Sequence, residues 1–314
     1  MAQRTGALEA PAVEAQRKSA SLWGDAFRRL LKNRLAVVGA VVVFVLLIVA
    51  IVGPYLTPFE FQAQDYAAVA KYGGPVPPFV SSHILGTDQL GRDLLSRLMD
   101  GARISMTVAM VVQVVVLFIG VPVGAAAAWF GGRMDTILMR ITDVVYAFPD
   151  LLFIILLSVA LRETAFGKAL DGLLVVFVAI GLTAWVGMAR LVRGQLLSLK
   201  ETEFVEAARA IGVSDRNIVT RHLLPNAIGP VIVAVTLGIP TAILAEATLA
   251  YIGIGVQPPR ASWGTLIAEG QGFIRSYPWL TLLPGILIAT ALMSFTFLGD
   301  GLRDALDPKL KGKQ

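Results

Sequence analysis

Eighteen consecutive residues without a charge, Leu35–Val52, constrain this chain more than any other feature. As a helix the run is ~27 Å long at ~1.5 Å per residue, close to the ~30 Å hydrocarbon core of a bilayer. A cleaved signal peptide fits poorly. The polar stretch before the run is too long, the run exceeds an ordinary apolar core, and Gly53-Pro54 follows in place of a small-residue cleavage site. The reading is an uncleaved membrane anchor.

Five more stretches have the same character. Ile104–Phe130 is apolar apart from Gln113. Thr136–Leu161 is interrupted only by Arg140, Asp143 and Asp150. Gly172–Ala189 and Trp279–Leu298 carry no charge, and Ala227–Ile252 carries one, Glu246. The whole chain of 314 residues is 56% hydrophobic and 16% charged, where soluble domains run at ~45–50% and ~25%. That excludes a disordered chain, a coiled coil and a nucleic-acid binder. The absence of Cys excludes disulfides and thiolate metal sites. The expected fold is an all-α integral membrane protein with six transmembrane helices.

Six spans place both termini on one side, and the basic residues choose the side. With the N-terminus inside, 19 of the 27 Lys and Arg fall on cytoplasmic segments and 8 on outer ones. The positive-inside rule therefore predicts cytoplasmic termini. The chain divides into a cytoplasmic tail and basic amphipathic segment (1–34), a first span (35–52), an outer loop (53–103), a five-helix core (104–298) that includes a cytoplasmic loop (196–226), and a cytoplasmic tail (299–314). Residues 1–20 read as a mobile tail. Leu22–Leu35 mixes Trp23, Phe27, Leu30 and Leu31 with Arg28, Arg29, Lys32 and Arg34, which suits either a helix on the inner leaflet or a plain topogenic charge cluster. In the outer loop, Asp88, Arg92 and Asp93 are placed to cap and pair where the second span begins.

The loop at 196–226 carries the clearest local pattern. Thr202 stands where a helix cap would be, and Phe204, Val205, Ala208 and Ile211 share a helical face. Gly212 supplies a left-handed residue that ends the helix. Ser214 and Asp215 then start a second short helix with Ile218, Val219, His222 and Leu223 on one face, and Pro225 marks the junction with the next span. Two amphipathic helices joined by a glycine elbow suit a docking knob, with small Ala207 and Ala208 and charged Glu206 toward a partner. They equally suit two helices lying on the membrane surface.

Ionisable groups within spans usually face a cavity or a partner. Glu246 would line a pathway, bind a substrate ammonium, or hydrogen-bond a neighbouring helix. Asp150 follows Pro149 at an expected kink. Asp143 and Arg140 would pair or snorkel. Gly120 and Gly124 have the spacing of a close helix contact. Trp263, Tyr277 and Trp279 read as an aromatic belt. The two histidines, His83 and His222, lie on opposite sides, so they form no shared metal site. No phosphate-binding G-x-x-x-x-G-K-[ST] loop and no catalytic constellation is present.

Several separated motifs, in order, resemble the permease subunits of binding-protein-dependent ABC importers. Glu206-Ala207-Ala208, Gly212, His222 and Leu224-Pro225 resemble their signature loop, with His222 standing where an aliphatic residue is common. Leu85-Gly-Thr-Asp-Gln-Leu-Gly-Arg-Asp93, Glu246-Ala-Thr-Leu-Ala-Tyr-Ile-Gly-Ile-Gly-Val-Gln-Pro-Pro259 and Ser262-Trp-Gly264 resemble the peptide/nickel branch. The similarity spans roughly residues 20–308, in the order of the subunit with the extra N-terminal segment. It implies a second homologous permease subunit, two ABC ATPase subunits docked on the coupling loop (Glu206, Ala207, Ala208, Ile211, Gly212, His222, Leu224, Pro225), and an extracytoplasmic solute-binding protein. ATP and Mg would be used by those partner subunits, with no cofactor on this chain, no enzymatic activity of its own and no nucleic acid. The implied substrate is a di- or oligopeptide, with nickel or another small solute sharing the same class. An ion-coupled secondary transporter using Glu246 or Asp150, or a structural membrane protein, would have no use for an ATPase-docking knob.

Overall fold

The computed structural model describes residues 22–307, and the expectations for residues 1–20 and for the end of the C-terminal tail lie outside them. Among the described residues the fold is all-α, with only two isolated antiparallel bridges, Gln64 with Arg92 and Thr87 with Asp93. Helix α1 spans Leu22–Lys32, α2 Arg34–Leu56, α3 Tyr66–Tyr72 and α4 Leu94–Phe130. Then come α5 (Gly132–Ala147), α6 (Asp150–Leu161), a single turn α7 (Ala165–Lys168) and α8 (Leu173–Lys200). Helix α9 covers Glu203–Ala210 and α10 Asp215–Asn217; α11 is Leu224–Tyr251, α12 Trp263–Gly270 and α13 Trp279–Leu306.

Five of these helices are long and apolar enough to cross a membrane, and α5 with α6 makes a sixth if that pair is one span bent by 83°. The bend falls at Phe148-Pro149, where both residues are extended. Proline disfavours the helical conformation in the residue before it and lacks the N–H needed to continue the ladder. The expected kink is thus a break. Helix α4 is ~55 Å long by its rise per residue, well beyond one bilayer core. It begins at Leu94, ten residues before its apolar run, because Asp93 caps it by accepting the Ser96 amide at 2.8 Å.

The chain alternates between two ends. Gly53 of α2 abuts Met99 near the start of α4, and Gly270 of α12 abuts Leu280 at the start of α13; this is the loop end. At the other end Ala36 and Leu30 meet Gly301 of α13, and Lys200 of α8 reaches the last turn of α4. Both described termini therefore share the end that carries α9.

Buried valines and isoleucines of α4, α8 and α11 form the core, among them Val108, Val112, Val176, Ile180, Val192 and Ile243. Outside them, α2 packs small Gly39 on Ser294 of α13 and leaves Leu35, Val38, Val41, Phe44, Val45 and Ile48 exposed, the face lipid would cover. The α4–α8 seam depends on Gly120 and Gly124. A Cβ at Gly124 would lie 2.4 Å from the Ala189 carbonyl oxygen, and one at Gly120 2.7 Å from Met188 Cβ. Gly124→Leu should force the pair apart at a cost of about 1–3 kcal/mol, lowering the yield of monodisperse protein and its melting midpoint. Gly187→Ala, where nothing lies within 4 Å of the added carbon, should keep the yield and raise the midpoint slightly, since alanine is the better helix former.

Candidate functional site

At the α9 end, the loop after α8 is held from three sides. The Lys200 ammonium donates to the Trp129 and Ala128 carbonyl oxygens at 2.9 and 3.3 Å. Lys200 and Arg209 each sit 5.4 Å from the Trp129 ring centroid. Thr202 occupies the cap position of α9, but its hydroxyl donates backward to the Leu199 carbonyl at 2.5 Å and makes no side-chain cap. Helix α9 ends in a Schellman motif: Val213 N–H donates to Ala208 O and Gly212 N–H to Arg209 O, both at 3.0 Å. Gly212 has φ +79°, the left-handed conformation a side chain would strain.

The apolar face of α9 divides. Val205 and Ala208 are buried against the bundle. Phe204 is 41% exposed and Ile211 81% exposed, beside exposed Glu206 and Ala207. The second segment differs from the sequence expectation. No separate helix follows Gly212: α10 passes through one wide π-helical stretch, Ile218–Leu223, directly into α11. In α geometry the Pro225 ring would collide with the Arg221 carbonyl; widening the turn there absorbs it, as π-bulges do. His222, Leu224 and Pro225 thus belong to the first turns of the long helix, where Asn226 donates to the His222 carbonyl at 2.6 Å. Ile218 and Leu223 are buried beneath it.

Beside this end, Asp135 takes a two-pronged bond from Arg193 at 2.5 and 2.6 Å. Asp143 pairs with Arg190 of α8 at 2.9 Å rather than with Arg140, because Arg190 stacks over Tyr146 on the same helix face.

The loop end holds a lattice of charges. Asp88 accepts the Leu90 and Arg92 amides with one oxygen, and Arg92 Nε and Arg97 Nη1, both at 2.6 Å, with the other. Glu269 of α12 closes it, accepting Arg97 at 2.6 Å and Arg92 at 2.9 Å. A second knot joins Asp93 to the His83 ring at 2.9 Å, with Asp65 on the ring's other nitrogen at 3.4 Å. The Ala68 amide holds the Asp65 carboxyl below the usual carboxylate range, and His83 adds to that against the opposing effect of burial. His83 is therefore a structural link, a full bundle length from His222.

Glu246 is buried and takes the Ser105 hydroxyl at 3.1 Å; that oxygen in turn accepts the Trp263 amide at 3.3 Å. Trp263 is no belt residue. It is fully buried, its indole donating to the Leu98 carbonyl at 3.1 Å between α4 and α12. Leu244, Ala247 and Thr248 of α11 line an open apolar cleft of about 330 Å³ between α11, α12 and α13. Asp150 is exposed at the first turn of α6, just past the bend. Arg97 and Glu269 escaped sequence reading. No local signal was available, because Asp88, Asp93 and Asp100 already balance Arg92, Arg97 and Arg103 in the sequence.

Residues 120–312 match the family described as binding-protein-dependent transport system inner membrane component, and residues 21–75 match the N-terminal TM domain of oligopeptide transport permease C. The chain is 41% identical over 300 residues to the oligopeptide transport system permease protein OppC of Bacillus subtilis, covering 96% of this chain and 94% of that protein. It is 42% identical over 301 residues to the dipeptide transport system permease protein DppC of the same organism, covering 96% and 90%. Its fold is similar to a chain in an inward-facing crystal form of the MetNI methionine ABC transporter, with a TM-score of 0.55 at 20% identity, covering 66% of this chain and 94% of that one.

Proposed function

The chain belongs to the family of binding-protein-dependent transport system inner membrane components, multi-pass permeases of ABC importers, and from that premise we propose the assembly it serves and its cargo. The cargo is a di- or oligopeptide, as the names of its relatives suggest. The chain pairs with a second, similar permease and sits with both termini in the cytoplasm, so that 53–103 lies outside and 196–226 inside. An extracytoplasmic binding protein delivers the peptide. Two separate ATPase subunits bind ATP and Mg and drive the cycle.

One observation carries this reading: the ordered knob of α9, with Phe204, Glu206, Ala207 and Ile211 exposed on a helix pinned by Val205, Ala208 and the Gly212 turn. Exposed apolar groups on a rigid element suit insertion into a partner's groove. Gly212, His222, Leu224 and Pro225 then act as its frame, passing movement straight into α11. Within the bundle, Glu246 is a packing residue that fixes α11 to α4, and Asp150 is the better pathway candidate.

The test is uptake of a labelled tripeptide by cells carrying the complete importer. Deleting this chain or an ATPase subunit should abolish uptake, and dissipating the proton gradient at constant ATP should leave it intact. Uptake that persists without the ATPase and collapses with the gradient would instead assign an ion-coupled transporter.

A further inference from the structure

Helix α1 carries two adjoining exposed stripes that the transport cycle does not explain. Trp23, Phe27 and Leu31, spaced four residues apart, are 55%, 60% and 54% exposed on one stripe. Arg28 and Lys32 are exposed on the next, with Arg34 at the start of α2, and none of the three has an acidic partner among the described residues. The remaining side is turned to the bundle, where Ala26 is buried and half-buried Leu30 meets Gly301 of α13. At Asn33 the chain leaves helical geometry (φ −84°, ψ 103°), and the Asn33 side chain caps α2 by accepting the Ala36 amide at 3.2 Å. The break separates α1 from the spanning helix, whose exposed Leu35, Val38 and Val41 mark the lipid-facing side.

We propose that α1 lies in the membrane interface as a receptor for anionic phospholipid headgroups. Trp23, Phe27 and Leu31 enter the acyl boundary, and Arg28, Lys32 and Arg34 hold the phosphates above them. Aromatic residues prefer that depth, and a helix with apolar and basic faces side by side matches an anionic surface in both shape and charge. A protein partner would need complementary acid and would exclude lipid from the Trp23 stripe.

The test uses the full chain in nanodiscs of mixed phosphatidylglycerol and phosphatidylcholine. Arg28→Gln with Lys32→Gln should lower the enrichment of phosphatidylglycerol on the purified protein about fivefold per residue, so about 25-fold together. Equal enrichment in both proteins would overturn the proposal. So would loss of enrichment on adding inorganic phosphate, which would assign a free-phosphate site. A second measurement needs no charge variant. Phosphatidylglycerol brominated in its acyl chains should quench the fluorescence component that Trp23→Phe removes, and an unquenched Trp23 would sink the interfacial placement.

Discussion

Replacing Ile211 with aspartate is expected to strip the ATPase subunits from the purified importer while the two permeases remain together. Ile211 is the most exposed large apolar side chain among the described residues at 81%, and it stands at the tip of α9 just before the Gly212 turn. An aspartate in place of the isoleucine would be desolvated on docking, and central apolar contacts of such interfaces are worth about 2 kcal/mol or more. Recovery of ATPase should fall at least about 30-fold, with ATP hydrolysis uncoupled from peptide. Val205→Ala is the necessary contrast. It removes packing beneath α9, so it should lower stability and leave the docking chemistry in place. If Ile211→Asp retained full ATPase, the knob would be a surface helix and the coupling assignment would fail.

The second large effect is expected from Arg97→Met. Arg97 is 1% exposed and bonds both Asp88 and Glu269. Methionine fills similar volume but leaves Asp88, itself buried, with Arg92 as its one remaining cation and takes from Glu269 its bonds from Arg97. Breaking one side of a buried ion pair costs about 3–5 kcal/mol, so the folded fraction in mild detergent should collapse at temperatures the native chain survives. Glu269→Gln should cost less, because Glu269 is partly solvated and the Asp88 bonds survive. Equal losses from both would show that the lattice acts through Glu269 alone.

Much of this architecture is legible in the sequence because bilayer crossing demands long apolar runs, and five such runs became helices nearly where they were read. The glycine turn at Gly212 and the cap at Asp93 are local and equally readable. What could not be read depends on distant partners. Helix α4 extends back to Leu94 through Arg97, Asp100 and Arg103, charges that look like loop until Glu269 and Arg260 meet them. Trp263 resembled a belt residue because its hydrogen-bond acceptor, the Leu98 carbonyl, is far away in the chain. The merging of α10 into α11 depended on how a backbone absorbs Pro225. That strain ends in a break at Pro149, a wide turn before Pro225 and an uninterrupted α-helix at Pro54, Pro122, Pro230, Pro240 and Pro284, and the residues around each do not choose between them.

The lattice also orders events during synthesis. Arg97 and Glu269 are 172 residues apart. At ~5–20 residues per second a ribosome needs roughly 10–30 s to travel from one to the other. Throughout that interval Arg92, Arg97 and Asp88 are already made, and the local bonds of Asp88 can form, but the closing carboxylate is missing. The first spans can settle early, yet the face of the protein that carries these groups is finished only when α12 is delivered. Truncation between Phe130 and Glu269 therefore leaves the first spans made and Arg92 and Arg97 without their closing carboxylate.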